Sequence, residues 1–297
     1  KAIHQGISRE ELQQEIDQAL FAPQFVQNPW YPIAEPSDAP ANDGMPDASR
    51  DLTSELVKLV QAMQEIKSEE DSRVNSYEIF VNQKQTHIRN SRGVDVTFSG
   101  FDCEIEVVTN SRKDDHEIEI YKDLRFSDKS AEKIIAEVRG MFHTGRQRLN
   151  AVPTRQNEHA DVLLSGDAVG SFFQYFAMHT NASYQYMGVA KTKIGEAITG
   201  ADADPLNIRL VPTLDGSAKN APYDETGMPV AERVLFENGI CRSYWGSLQH
   251  AHYIDMKDTT SMNNMVVEGG SETLEELRSI PHIEITDLSA FEMDDVS

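Results

Sequence analysis

Cysteine is nearly missing from this chain. Two residues, Cys103 and Cys241, among 297 exclude a disulfide framework and a four-cysteine zinc site. No run of residues approaches the ~20 apolar positions that span a bilayer, so no membrane partner is expected. Glycine (17) and proline (12) are too few for a fibrous or low-complexity chain. Positive charge is scarce as well: 27 Lys and Arg stand against 49 Asp and Glu, a net charge of −22. Such a field repels phosphate backbones, so no nucleic acid is expected as a partner. The sequence also lacks a G-x-S-x-G elbow, a P-loop and a G-x-G-x-x-G turn. Serine-hydrolase, P-loop and Rossmann chemistry lose their sequence support.

What is there reads as one large domain or two ordinary ones. The chain begins at Lys1 with no basic and apolar leader after it. It stops at Phe291–Ser297 without a closing element. We read it as a fragment trimmed at both ends.

Ser8, with Glu11 three residues on, predicts a capped helix over 8–21, with Leu12, Ile16 and Leu20 on one face. Six prolines in 22–47 (Pro23, Pro29, Pro32, Pro36, Pro40, Pro46) predict an extended connector. Trp30 and Tyr31 within it are expected to pack onto something. Leu52, Leu56, Leu59, Val60, Met63 and Ile66 predict a second helix over 49–68.

The period then changes to two. Tyr77–Val81, Val94–Phe98, Cys103–Val107 and Ile118–Ile120 predict four antiparallel strands, with turns at Asn82-Gln83, Asn90–Gly93 and Asn110–Asp115. A third helix is expected over 129–149. Beyond 151, Asp161–Leu164 reads as a buried strand and Asp167 to Met178 as a short helix. Ile208–Val211 reads as a strand, and residues 231–245 as a hairpin turned at Asn238-Gly239. Met265–Val267 is a strand ending at Gly269-Gly270, followed by a helix at 273–279 and a strand at 282–285. The expected fold is α+β. An N-terminal antiparallel meander packed with helices (1–150) precedes a mostly β C-terminal region (151–297).

Candidate chemistry is thin. His250 and His252, two apart, share one face if they lie on a strand, and could begin a metal site; the plain reading is a pair of partly exposed histidines. Cys103 and Cys241 read as small core residues, because no basic neighbour would depress a thiol. Asp114, Asp115, Glu117 and Glu119 are either a cation site or a solvated sheet face. Asn181-Ala-Ser183 is a glycosylation sequon that matters only in a secreted protein. Gly166-Asp167-Ala168-Val169-Gly170-Ser171 opens a helix after a strand, where side chains can point into a cleft. Gly166, Asp167 and Ser171 are nonetheless poor metal ligands.

Several dispersed segments together resemble the TldD/PmbA family, also called modulators of DNA gyrase. Asn90-Ser-Arg-Gly93 resembles its N-S-x-G turn, and Lys193-Ile-Gly-Glu196 its K-x-G-E segment. Tyr223-Asp-Glu-Thr-Gly-Met-Pro229 resembles its aromatic-D-D-E-G-x-P stretch. Phe236-Glu-Asn-Gly-Ile240 with Tyr244 resembles its I-E-x-G-V-L-x-x-Y segment, and Asn264 to Gly269 its late N-x-x-x-x-G strand. The order and spacing carry the resemblance, which covers about residues 75–287.

The resemblance implies two kinds of member. TldD-type chains carry H-E-x-x-x-H, expected to hold zinc, with the Glu as general base. PmbA-type (TldE) chains lack it. Here Gly166 and Ser171 stand where the two histidines would be, and Asp167 where the glutamate would be. The chain therefore resembles the metal-free subunit, with no catalytic residue and no cofactor of its own and with zinc expected in a TldD-type partner. The implied assembly is a cytoplasmic heterodimer with that metallopeptidase, or a homodimer. It would enclose a cavity for extended or unfolded peptides and act in proteolysis or in maturation of peptides such as microcins. The family extends past both ends of this chain. Val266, Val267, Gly269 and Gly270 are the expected peptide-binding positions, through backbone pairing at a strand edge. Two other readings are a metallopeptidase with atypical ligands among His179, His250 and His252, and a peptide-binding scaffold without a peptidase partner.

Overall fold

A computed structural model describes residues 8–25, 27–39, 49–153, 159–200 and 203–288. The proline-rich stretch around Pro40 and Pro46 and the closing segment Phe291–Ser297 lie outside the described residues. Contacts divide the chain into two compact units, Lys1–Pro32 and Ile33–Ser297.

In the first unit, α1 (Arg9–Phe21) starts at the expected cap. Ser8 Oγ accepts the Glu11 N–H at 3.3 Å, and the Glu11 carboxylate accepts the Ser8 N–H at 2.7 Å. This reciprocal pairing satisfies two of the donors that a helix start leaves open. α1 buries none of its residues, and its stripe of Leu12, Ile16 and Leu20 is exposed. A 3-10 turn, Ala22–Phe25, follows. Trp30, expected to pack, is 72% exposed.

The second unit opens with α2 (Leu52–Gln64), capped by Asp51, whose carboxylate accepts the Ser54 N–H at 3.1 Å. Three long strands follow: β1 (Ser72–Arg89), β2 (Asp95–Lys113) and β3 (His116–Phe126). They form an antiparallel sheet in the order β1-β2-β3. α3 (Ala131–Leu149), capped by Ser130, lies against it. Leu59 and Met63 of α2 and Ile134, Val138 and Phe142 of α3 bury against Cys103, Ile105 and Val107 of β2. This is the helix-on-sheet layer that the alternating pattern implies.

The four expected strands are three. β1 runs straight through Asn82-Gln83, and β2 joins Val94–Phe98 to Cys103–Val107 with no register break between them. The reason is parity. Apolar side chains sit at even positions in Val94, Val96 and Phe98 and at odd positions in Phe101, Cys103, Ile105 and Val107. The two ends of one strand therefore bury opposite faces. The odd face meets α2 and α3. At the other end Phe98 lies 5.8 Å, ring to ring, from Tyr223, and Val94 and Val96 lie over Gly227.

Beyond α3, β4 (Val162–Leu164) pairs in parallel with β9 (Ile283–Ile285). β4 is not the buried strand expected: Val162 is exposed, and β9 is its one strand neighbour among the described residues. Between them lie α4 (Asp167–His179), α5 (Ala182–Met187), α6 (Leu248–Tyr253) and α7 (Leu274–Ser279). A four-stranded antiparallel sheet has the order β7-β6-β5-β8. Its strands are β5 (Ile208–Val211), β6 (Arg233–Glu237), β7 (Ile240–Cys241) and β8 (Asn264–Val267). The hairpin turns at Asn238-Gly239, with φ of 51° and 74°, the positive pair that a type I′ turn needs. Ile208, Leu210, Leu235 and Phe236 form a second core with Ala177 of α4. The fold is α+β. No described helix is long and apolar enough to cross a membrane.

Candidate functional site

α4 begins the stretch where the resemblance sets the family's metal motif. Gly166 precedes it with φ 57° and ψ −137° and makes no side-chain cap. A Cβ at Gly166 would lie 2.9 Å from the Thr286 carbonyl oxygen. The same carbonyl accepts the Ala168 N–H at 3.3 Å. The loop after β9 thus closes over the helix start and leaves room for hydrogen only.

Asp167 points to solvent, and its carboxylate pairs with Lys122 Nζ of β3 at 3.1 Å. Ser171 Oγ donates to the Asp167 carbonyl at 3.3 Å, a back-bond within the helix. Zinc does not fit this donor set. Gly166 offers no side chain, Asp167 is engaged by a lysine, and a serine hydroxyl is a poor zinc ligand. Ala168 is buried and Gly170 exposed. Lys122 and Thr286, the partners that define the stretch, were not legible in the sequence, since each lies far along the chain.

The histidines are not arranged as a strand pair. His250 and His252 lie on α6, capped by Ser247. Two residues apart on a helix point in nearly opposite directions, so the shared-face expectation fails. Ser247, a helix start signal, was the overlooked clue. His250 Nδ1 is 3.0 Å from Ser247 Oγ, and its ring stands 5.9 Å from Tyr186. His179 closes α4 and is buried. Its Nδ1 accepts the Lys191 N–H at 3.1 Å, which places the proton of the neutral ring on Nε2. Its ring lies 4.2 Å from that of Tyr175.

Among the described residues no three His, Cys, Asp or Glu side chains gather as a metal cluster. Cys103 and Cys241 are buried thiols, and burial pushes both up to about 11. The acidic group is a dispersed sheet face: Glu117 pairs with Asn110, and Glu119 accepts from Asn75 at 3.1 Å. Asn181 caps α5, accepting the Ser183 N–H at 2.8 Å.

The segments that carried the family resemblance converge into two groups. Asn90 Oδ1 accepts the N–H groups of Arg92 and Val94 at 2.9 and 3.2 Å, shaping the turn at Gly93. That turn leads into the part of β2 that covers Gly227. There Asp224 Oδ1 accepts the N–H groups of Thr226 and Met228 at 2.8 and 3.0 Å. In the second group, the Gly195 N–H donates to the Cys241 carbonyl at 2.8 Å, and the Cys241 N–H to the Glu196 carbonyl at 3.0 Å. Tyr244 Oη accepts the Ile194 N–H at 3.2 Å. K-x-G-E therefore lies along the hairpin that carries the E-x-G segment.

β8 is an outer strand of its sheet. The Glu268 N–H donates to the Asn207 carbonyl at 3.1 Å. By the alternation of an antiparallel ladder, Asn264 and Val266 also face β5, while Met265 and Val267 turn their backbone groups to the open side. The Met265 and Val267 side chains pack on the second core, which α4 also reaches through Phe173, Phe176 and Ala177. Val266 is half-buried, and Gly269 and Gly270 are exposed beyond the strand end. A Cβ at Gly270 would lie 2.8 Å from Asp204 Oδ2.

The architecture is that of the TldE and gyrase-modulator structures. TldE from Thermococcus kodakarensis superposes with a TM-score of 0.68 at 18% identity, over 92% of this chain and 66% of its own. A protein described as a modulator of DNA gyrase from Bacteroides thetaiotaomicron gives 0.71 at 15% identity, over 95% and 67%. Another so described, from Thermotoga maritima, gives 0.63 at 17% identity, over 89% and 63%. The chain spans about two thirds of the length of these structures, and at such identities the likeness is one of fold. Curated proteins give no match. Residues 157–297 match the family model described as the PmbA/TldA metallopeptidase C-terminal domain. Over those residues, somewhat under half of the chain, it is similar to the TldD/PmbA family.

Proposed function

We propose that this chain is the metal-free, PmbA/TldE-type subunit of a cytoplasmic peptidase complex. In this reading a TldD-type partner supplies the zinc and the cleavage. The present chain helps to enclose extended or unfolded peptides and holds them by their backbones. The observation that carries the reading is the start of α4. There the residues at the family's ligand positions are a glycine packed under the Thr286 carbonyl, an aspartate paired with Lys122 and a back-bonded serine. Such a donor set is a poor one for a metal that would activate a water, which supports the metal-free reading.

The outer edge of β8, beside which no strand lies among the described residues, supports the second half of the reading. A strand edge recognises what every peptide shares, its backbone donors and acceptors, so one edge serves substrates of unrelated sequence. Val266 and Val267 supply the β-prone run. Gly269 and Gly270 allow close approach where it ends.

The test is affinity capture of the full-length protein from its native host, with mass spectrometry of what is retained. A TldD-type chain carrying H-E-x-x-x-H is the expected partner. Recovery of the protein alone, or only with itself, contradicts the heteromeric reading. With the reconstituted complex, Val267→Pro removes one outward N–H without touching the ladder to β5. It should raise KM for several unrelated peptides; an unaltered KM for all of them removes the edge-pairing role.

A further inference from the structure

We propose that the β8 edge selects extended peptides bearing a lysine or arginine next to Glu268. This inference rests on the edge-pairing reading above and adds the chemical class of the side chain accepted. Three observations carry it. First, alternation along β8 puts Met265 and Val267 into the core, so Val266 and Glu268 share the opposite face, which Arg209 and Val234 continue across the sheet. That face holds a cavity of about 300 Å³, lined among others by Asn207, Arg209, Val234, Glu237 and Glu268.

Second, the charges around this cavity are compensated except at one place. Arg209 pairs with Glu232 at 3.3 Å, and Glu237 with Arg242 at 2.9 Å. Glu268 has no side-chain partner among the described residues and lies exposed where β8 ends. Third, the chain carries −22 overall, a field that draws cationic segments toward it and repels acidic ones.

A peptide strand laid against the open side of β8 projects every second side chain onto the face of Val266 and Glu268. One of these falls directly beside the free carboxylate, where an opposite charge is favoured and a like charge is not. A long lysine or arginine also covers Val266 with its methylenes while its head reaches Glu268. The occupant so defined is an alternating, β-prone peptide segment with a basic residue.

The experiment uses the full-length protein and three blocked, fluorescent heptapeptides of alternating Val and Thr. Their central residue is lysine, norleucine or glutamate, and binding is read by fluorescence anisotropy at low and high salt. Lysine should bind about two- to fivefold more tightly than norleucine, the range of an exposed ion pair, with glutamate weakest and the spread shrinking in salt. Glu268→Gln should erase the preference and Glu268→Lys reverse it, while Val267→Pro weakens all three peptides. If Val267→Pro weakens all three but they bind equally, or if a lysine preference survives Glu268→Lys, the charge selection is wrong and the edge stands. If none binds, or if Val267→Pro changes nothing, the edge reading falls and this inference with it.

Discussion

Lys122 Nζ lies 3.1 Å from the Asp167 carboxylate, joining β3 to the first turn of α4. Asp167, which the resemblance sets where the family's general base would stand, is thus engaged by a lysine of the same chain. The carboxylate is 69% exposed, so the pair contributes at most about 1 kcal/mol, with a similar contribution from the helix dipole. Asp167→Asn should therefore cost no more than about 2 kcal/mol in urea unfolding. A loss above about 3 kcal/mol would show that Asp167 has a structural role beyond this pair.

Gly166 should resist substitution. Its φ of 57° with ψ of −137° is a region that side-chain-bearing residues rarely enter, and a Cβ would press on the Thr286 carbonyl. Gly166→Ala should lose about 1–3 kcal/mol of stability. Grafting a histidine there would restore a ligand type without the backbone that could aim it. An unchanged unfolding midpoint for Gly166→Ala would contradict the geometry at this turn.

Local signals made much of this fold legible. The cap at Ser8 and the Asn238-Gly239 turn depend on neighbours within a few residues, and each forms as the sequence predicts. Two kinds of feature were hidden. The continuity of β2 was masked because its apolar positions change parity near Ser99-Gly100, which imitates a turn. The parallel pairing of Val162–Leu164 with Ile283–Ile285 joins segments about 120 residues apart, and nothing in either announces the other. The candidate site suffered from the same distance. The glycine and serine were visible as non-ligands, whereas Thr286 and Lys122, which explain their setting, became neighbours only on folding.

The hairpin at Asn238-Gly239 gives a third prediction. Gly239 has φ 74°, and a Cβ there would collide with the Thr199 side chain. Gly239→Val should cost about 1 kcal/mol or more, read as a lower melting temperature. The same melting temperature as the parent would mean that the turn is not formed as described.

The two cysteines predict a pH dependence. Burial, reinforced by Glu55 and Asp102 at Cys103, raises both thiols to about 11 from an ordinary value near 9. Between these values the folded chain keeps protons that the unfolded chain has released. Stability from this source is complete below about pH 9 and falls as pH rises from 9 toward 11. Folded protein at pH 8 should react slowly with a thiol reagent, and unfolding should release two fast thiols. Rapid labelling of either residue in the folded state would contradict its burial.

In the proposed complex this chain contributes no metal of its own to peptide cleavage. The most direct measurement is zinc content per chain, by plasma mass spectrometry, of the full-length protein purified without chelator and supplied with zinc. The expected content is far less than one zinc per chain, the same for wild type and Asp167→Ala. One zinc per chain that is lost on Asp167→Ala would contradict it and make the start of α4 a metal site after all.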